Sequence, residues 1–160
     1  MKTATSSSGT KRLSGSNLQK HMAASKQLLI VEDDANSREG YRLYLSGAGF
    51  DVHTLAGGSQ AVDFVRTETP DLVVLDLGLP DLDGWEVARR LKSDDKTKRI
   101  PIIAFSGRSM QHEQVSALRA GCDVYLTKPC PPDRLLTTIR KLLGIATPPS
   151  NQRAEPLDPY

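Results

Sequence analysis

From residue 27 to residue 144, short unbroken apolar runs alternate with longer stretches in which apolar residues recur every three or four positions. Leu28-Leu29-Ile30-Val31, Leu72-Val73-Val74-Leu75 and Ile100-Pro101-Ile102-Ile103-Ala104-Phe105 show no polar alternation. A strand with one wet face alternates with a period of two, so such runs predict strands covered by helices on both faces, the setting of a parallel sheet. The pattern predicts strands at 28–31, 50–54, 72–75, 100–105 and 122–126. A helix follows each, starting at about 35 and then spanning 59–66, 84–91, 109–119 and 133–143. Pro132 stands ahead of the last helix, whose Leu135, Leu136, Ile139, Leu142 and Leu143 form one stripe, and Gly121 and Gly144 close the last two helices. Five β-α units make an α/β fold, a five-stranded doubly wound parallel sheet with helices on both faces. Ligands of such open sheets sit at the carboxyl ends of the strands, where the strand order reverses. The chemistry is therefore to be sought just after each strand.

The flanks read differently. Residues 1–26 are rich in Ser, Thr and Gly without apolar periodicity, and residues 145–160 hold Pro148, Pro149, Pro156 and Pro159 among polar side chains. Neither can bury enough apolar surface to offset the entropy of ordering, so the expectation is a disordered leader, one domain at 27–144 and a disordered tail. His21-Met22 resembles a cloning-site remnant, which leaves the leader either native or artificial. The net charge is +2, but the leader holds five cations (Lys2, Lys11, Arg12, Lys20 and Lys26) and no acid, leaving −3 on the rest. A nucleic-acid module concentrates positive charge on its folded surface, so direct nucleic-acid binding is not expected. No apolar stretch approaches the roughly 20 residues that span a bilayer, and no secretory signal opens the chain, so the reading is a cytoplasmic protein with no membrane contact. Cys122 and Cys130 match no zinc spacing and read as buried or half-buried thiols; His21, His53 and His112 read as solvated.

The strand-end positions hold Glu32, Asp33 and Asp34 after the first strand and Asp76 after the third. Ser106-Gly107 follows the fourth and Lys128-Pro129 the fifth. Carboxylates brought together repel one another unless a cation joins them, and an all-oxygen cluster suits a hard divalent ion such as Mg²⁺. Lys128 adds a point charge and Ser106 a hydroxyl, so that with backbone N–H groups the edge becomes a cradle for a tetrahedral oxyanion. Phosphoryl transfer needs alignment and charge neutralisation above all, and Asp76 is placed to be its carboxylate nucleophile.

Four blocks, Val31-Glu32-Asp33-Asp34, Leu75-Asp76-Leu77-Gly78-Leu79-Pro80-Asp81-Leu82-Asp83-Gly84, Ser106-Gly107 and Lys128-Pro129, together resemble the signatures of CheY-like response-regulator receiver domains, over roughly residues 27–144. The resemblance implies strand order 2-1-3-4-5 and a two-component signalling domain of the single-domain type. Such a domain takes a phosphoryl group on Asp76 from a histidine kinase or phosphotransfer protein and catalyses only its own phosphorylation and dephosphorylation. By the same resemblance Asp33 ligates Mg²⁺ directly and Glu32 through water, with Asp76 and the Gly78 backbone carbonyl completing the protein's share. Ser106 bonds a phosphoryl oxygen, Lys128 pairs with the phosphate, and Pro129 follows a cis peptide bond that aims the lysine inward. Tyr125 stands at the family's aromatic switch position, and output to an unknown downstream protein passes through the face of helix 4, strand 5 and helix 5. Two departures stand out. Cys130 replaces a frequent Phe after Lys-Pro, which alters packing between the fifth strand and helix, and Gly78 gives no side chain beside the phosphate.

Taken singly, these residues have blander readings. Asp34 and Asp83 suit helix caps, and for Asp34 capping is the preferred role. Lys128-Pro129 can be a loop, Ser106 a turn residue and Tyr125 ordinary packing. Their ordered placement at successive strand ends favours the receiver. A haloacid-dehalogenase-type phosphatase wants a second Asp where Gly78 stands. A dinucleotide-binding domain wants glycines where Glu-Asp-Asp would repel phosphates. A pure interaction domain would not need the acceptor, the acidic pair and the lysine together.

Overall fold

The structure, a computed structural model, describes residues 24–107 and 111–146. The expected leader up to residue 23, the tail from 147 and the expected start of the fourth helix at 109 lie outside them. Within the described residues the order is β1 (Gln27–Val31), α1 (Ala35–Gly47), β2 (Asp51–Leu55), α2 (Gly58–Glu68), β3 (Leu72–Asp76), α3 (Gly84–Ser93), β4 (Ile102–Ser106), α4 (Gln111–Arg119), β5 (Val124–Thr127) and α5 (Pro132–Leu142). All strands pair in parallel, in the order β2-β1-β3-β4-β5. The doubly wound sheet and its order are those the sequence implied.

Because side chains alternate across a strand, each apolar run feeds two cores. Leu29, Val31, Val73, Leu75, Ile102 and Ala104 point to one face, where Ala61, Val62 and Val65 of α2, Val87, Ala88 and Leu91 of α3 and Ala117 of α4 cover them. Leu28, Ile30, Leu72, Val74, Ile103, Phe105 and Leu126 point to the other, under Leu45 of α1 and Leu135 and Ile139 of α5. Each fully buried Leu or Ile contributes about 1.5–3 kcal/mol relative to exposure. A helix on each face is what removes polar alternation from the strands.

Local chemistry sets the ends of the elements. Asp34 takes the capping role: its Oδ1 accepts from Ser37 N–H at 2.7 Å at the start of α1. Asp83 Oδ1 likewise accepts from Trp85 N–H at 3.0 Å to start α3. Gly84, the first residue of α3, has no room for a side chain, since a Cβ there would lie 2.5 Å from the Asp76 carbonyl oxygen and 2.7 Å from Leu77 Cα. β4 begins two residues later than expected. Pro101 has no N–H to give, yet its carbonyl accepts from Val73 at 3.0 Å. β5 likewise starts at Val124, because Asp123 is held by its side chain, which accepts from Ile102 N–H at 2.8 Å and from the Lys92 ammonium at 3.0 Å. Lys26, at the edge of the leader, pairs with Asp71 at 2.9 Å.

Candidate functional site at the carboxyl edge of the sheet

Register brings the acidic residues together. Val31 of β1 lies opposite Leu75 of β3, so the next residue on each strand, Glu32 and Asp76, emerges at the same point of the edge, one strand spacing apart. On the far side of β3, Asp76 lies opposite Phe105, and Ser106 lies opposite Thr127 of β5, directly before Lys128. The Lys128 ammonium returns across the edge to hydrogen-bond Glu32 Oε2 and, at 3.1 Å, Asp76 Oδ2. It also lies 5.5 Å from the ring centroid of Phe105. The Lys128–Pro129 peptide is cis.

Backbone donors complete the arrangement. Asp76 Oδ1 accepts from Gly78 N–H at 2.9 Å, and Glu32 Oε1 accepts from Asp34 N–H at 3.1 Å. Arg38 of α1 donates to the carbonyls of Glu32 at 2.7 Å and Asp33 at 3.2 Å, fixing the turn between β1 and α1. Glu32 and Asp76 are buried, whereas Asp33 is exposed. Burial pushes the Glu32 carboxyl above its usual range, more than the Lys128 and Asp34 hydrogen bonds lower it. For Lys128 burial works downward, but hydrogen bonds to Glu32 and Asp76 outweigh it and hold the ammonium more firmly protonated than usual.

One carboxylate oxygen each from Glu32, Asp33 and Asp76 lies within 4.8 Å of the other two. Three carboxylates against one ammonium leave two negative charges at a largely buried edge. That donor set, all oxygen and doubly negative, fits a hard divalent cation such as Mg²⁺. Beside it opens a polar cavity of about 600 Å³, lined by Asp76, Gly78, Ser106 and Lys128 among the expected residues, with Asp83, Trp85 and Glu113 on its rim. Tyr125 is not in that lining. It lies opposite Ala104 on β5, partly buried against the α2–α4 core.

Other positions sharpen or correct the sequence reading. His53, expected to be solvated, tilts against Phe64 at 5.2 Å with 42% of its side chain exposed. Cys122 and Cys130 are buried, and burial pushes the Cys122 thiol up to about 11. Tyr41 of α1 meets the segment after β5: its hydroxyl donates to the Cys130 carbonyl at 2.9 Å and its ring meets Phe105 edge-on at 5.4 Å. Neither Tyr41 nor Asp81, whose carboxylate joins α2 to the β3–α3 loop, was visible from the strand-end pattern, because their partners are distant in sequence.

A sequence model of the response regulator receiver domain matches residues 28–140. The polar-differentiation response regulator DivK of Brucella anthropi is 33% identical over 121 residues, 76% of this chain and 98% of that protein. The response regulator MprA of Mycolicibacterium vanbaalenii is 41% identical over 124 residues, and there the match spans only 52% of the relative. Among solved structures, a response regulator from Chloroflexus aurantiacus, described as putative, superimposes with TM-score 0.72 at 31% identity, covering 75% of this chain and 98% of that one. The receiver domain of a sensor histidine kinase from Pseudomonas aeruginosa, solved with a magnesium ion coordinated in its active-site cleft, gives TM-score 0.71 at 30% identity over 76% and 99% of the two chains. The chain belongs to the response-regulator receiver family. It is thus a CheY-like signalling domain of two-component systems, and not an enzyme in the ordinary sense.

Proposed function

We propose that Asp76 accepts a phosphoryl group from a histidine kinase or phosphotransfer protein. The observation that carries this reading is the buried Asp76 carboxylate, hydrogen-bonded to Lys128, with oxygens of Glu32 and Asp33 within 4.8 Å. An Asp76 oxygen attacks phosphorus as the bond to the donor's imidazole nitrogen breaks, and the imidazole leaves with the bonding electron pair. Lys128, already paired with Asp76, neutralises charge on the phosphoryl oxygens, and the Ser106 hydroxyl at the same cavity donates to one of them. Glu32, Asp33, Asp76 and the Gly78 carbonyl would hold Mg²⁺, Asp33 directly and Glu32 through water; when bound, the ion supplies positive charge opposite the transferring group. Water attack on the same phosphorus then returns Asp76 and inorganic phosphate.

Signalling follows from the altered surface. Ser106 moving toward the phosphoryl group opens space beside Tyr125, which turns inward and changes the face of α4, β5 and α5 presented to a downstream protein. With 15 basic and 17 acidic side chains, residues 27–144 carry −2, which supports a regulator that contacts proteins and not nucleic acid directly; a cytoplasmic location is part of the same proposal, and no helix among the described residues is long and apolar enough to cross a membrane. The domain limits proposed are 27–144.

The test is labelling by acetyl phosphate with Mg²⁺. Asp76→Asn keeps the shape of the side chain but removes the nucleophile, and is expected to abolish acid-labile label while the domain stays folded. Undiminished labelling would move the acceptor elsewhere.

A further inference from the structure

Helix α2 begins at Gly58 with Gly57 as its N-cap, and Gly57 has no side chain to satisfy the first N–H groups. The cap comes from across the fold. Asp81, in the loop between β3 and α3, accepts from Gly58 N–H through Oδ1 at 2.8 Å and from Ser59 N–H through Oδ2 at 3.0 Å. These bonds from Ser59 and Gly58 hold the Asp81 carboxyl well below the usual carboxylate range, although it lies at the surface. The approach is close: a Cβ on Gly57 would lie 2.9 Å from Asp81 Oδ2 and displace the carboxylate, and one on Gly58 would lie 2.7 Å from the Leu82 carbonyl oxygen.

The same loop leads from the proposed phosphoacceptor. It is pinned at its start by Leu77 N–H on the Phe105 carbonyl at 2.9 Å, and at its end by Gly84 against the Asp76 backbone. Between them Gly78, which has no side chain, is held by its N–H on Asp76 Oδ1 at 2.9 Å, and Asp81, three residues later, is the side chain that ties the loop to α2. We propose that Asp81 is a positioning residue for the divalent-cation site, keeping the Gly78 segment in place by capping α2 from the β3–α3 loop. This rests on the cation site proposed above. A small divalent ion demands near-ideal ligand geometry, so a loosened loop weakens binding before it weakens chemistry.

The experiment titrates the full chain with Mg²⁺, following the fluorescence of Trp85, the chain's only tryptophan, which lines the cavity. The labelling rate at saturating Mg²⁺ is measured in parallel. Asp81→Ala is expected to raise half-saturating Mg²⁺ by about threefold to tenfold, up to the lower end for groups that orient ligands through hydrogen bonds, with the saturating rate nearly retained. Asp81→Asn keeps one acceptor oxygen without the charge and should show a smaller rise. Asp71→Ala removes a carboxylate bonded to Gln27 N–H and Lys26 at the opposite end of the sheet, and should lower thermal stability without moving the titration. Equal rises in Asp81→Ala and Asp81→Asn would assign the effect to charge and overturn the role, as would an equal shift in Asp71→Ala. If the unsubstituted chain responds and Asp81→Ala titrates identically, the positioning role alone falls. If the unsubstituted chain gives no saturable response, the cation site falls and takes this role with it. Should Asp81→Ala not fold, an unchanged titration for Asp81→Asn is the overturning result.

Discussion

Tyr41 reaches from α1 to the segment after β5, and its hydroxyl is tied to the Cys130 carbonyl while its ring packs on Phe105, the residue that also lies beneath the Lys128 ammonium. One side chain thus links α1 to both supports of the lysine. Removing only the hydroxyl leaves a part-buried carbonyl without that donor, which typically costs about 1 kcal/mol. Tyr41→Phe should therefore melt about 3–5 °C lower, given the usual relation between stability and melting temperature for a domain of this size. An unchanged melting curve would mean that water replaces the hydroxyl without loss. Glu32 illustrates a different balance at the same scale. Its carboxylate stays inside because Lys128 and the Asp34 N–H both bond it, and a buried charge without such partners would cost several kcal/mol.

At the scale of elements, the proposed switch lies on β4 and β5, since Ser106 ends one strand and Tyr125 lies on the other, on the side covered by α2, α3 and α4. If the hydroxyl of Ser106 is what draws its loop toward a phosphoryl group, Ser106→Ala should still accept label at Asp76 yet show a much smaller phosphorylation-induced change in Tyr125 NMR shifts. Shifts that do not respond even in the unsubstituted protein would reduce Tyr125 to packing. The two arrangements need differ by only a few kcal/mol for the modification to shift their populations. The strands and the order of strand-end residues were legible because parallel sheets write uninterrupted apolar runs and the chemistry follows them immediately. Tyr41 and Asp81 were not legible for the opposite reason. Tyr41 meets its partner 89 residues away, and Asp81 caps a helix 22 and 23 residues upstream, so neither leaves a local signature. The start of β4 fell two residues late because Pro101 continues the apolar run while lacking the N–H a ladder uses.

For the whole molecule, positive charge in the leader and negative charge on the rest are separate properties of one sequence. With so few apolar residues, the segment up to residue 22 has little to contribute to either core. Its deletion should leave acetyl phosphate labelling and melting temperature nearly unchanged, and a loss of several degrees would show that it packs on the domain. The two cores share one sheet, and the site sits where the sheet ends and both helix layers begin. There the contact of Gly84 with the Asp76 backbone has a mechanical consequence. Side chains absorb a displacement by changing rotamer, but main chain pressed against main chain has no such compliance. The first turn of α3 is therefore expected to follow a displacement of the Asp76 backbone more closely than a contact made through side chains would allow.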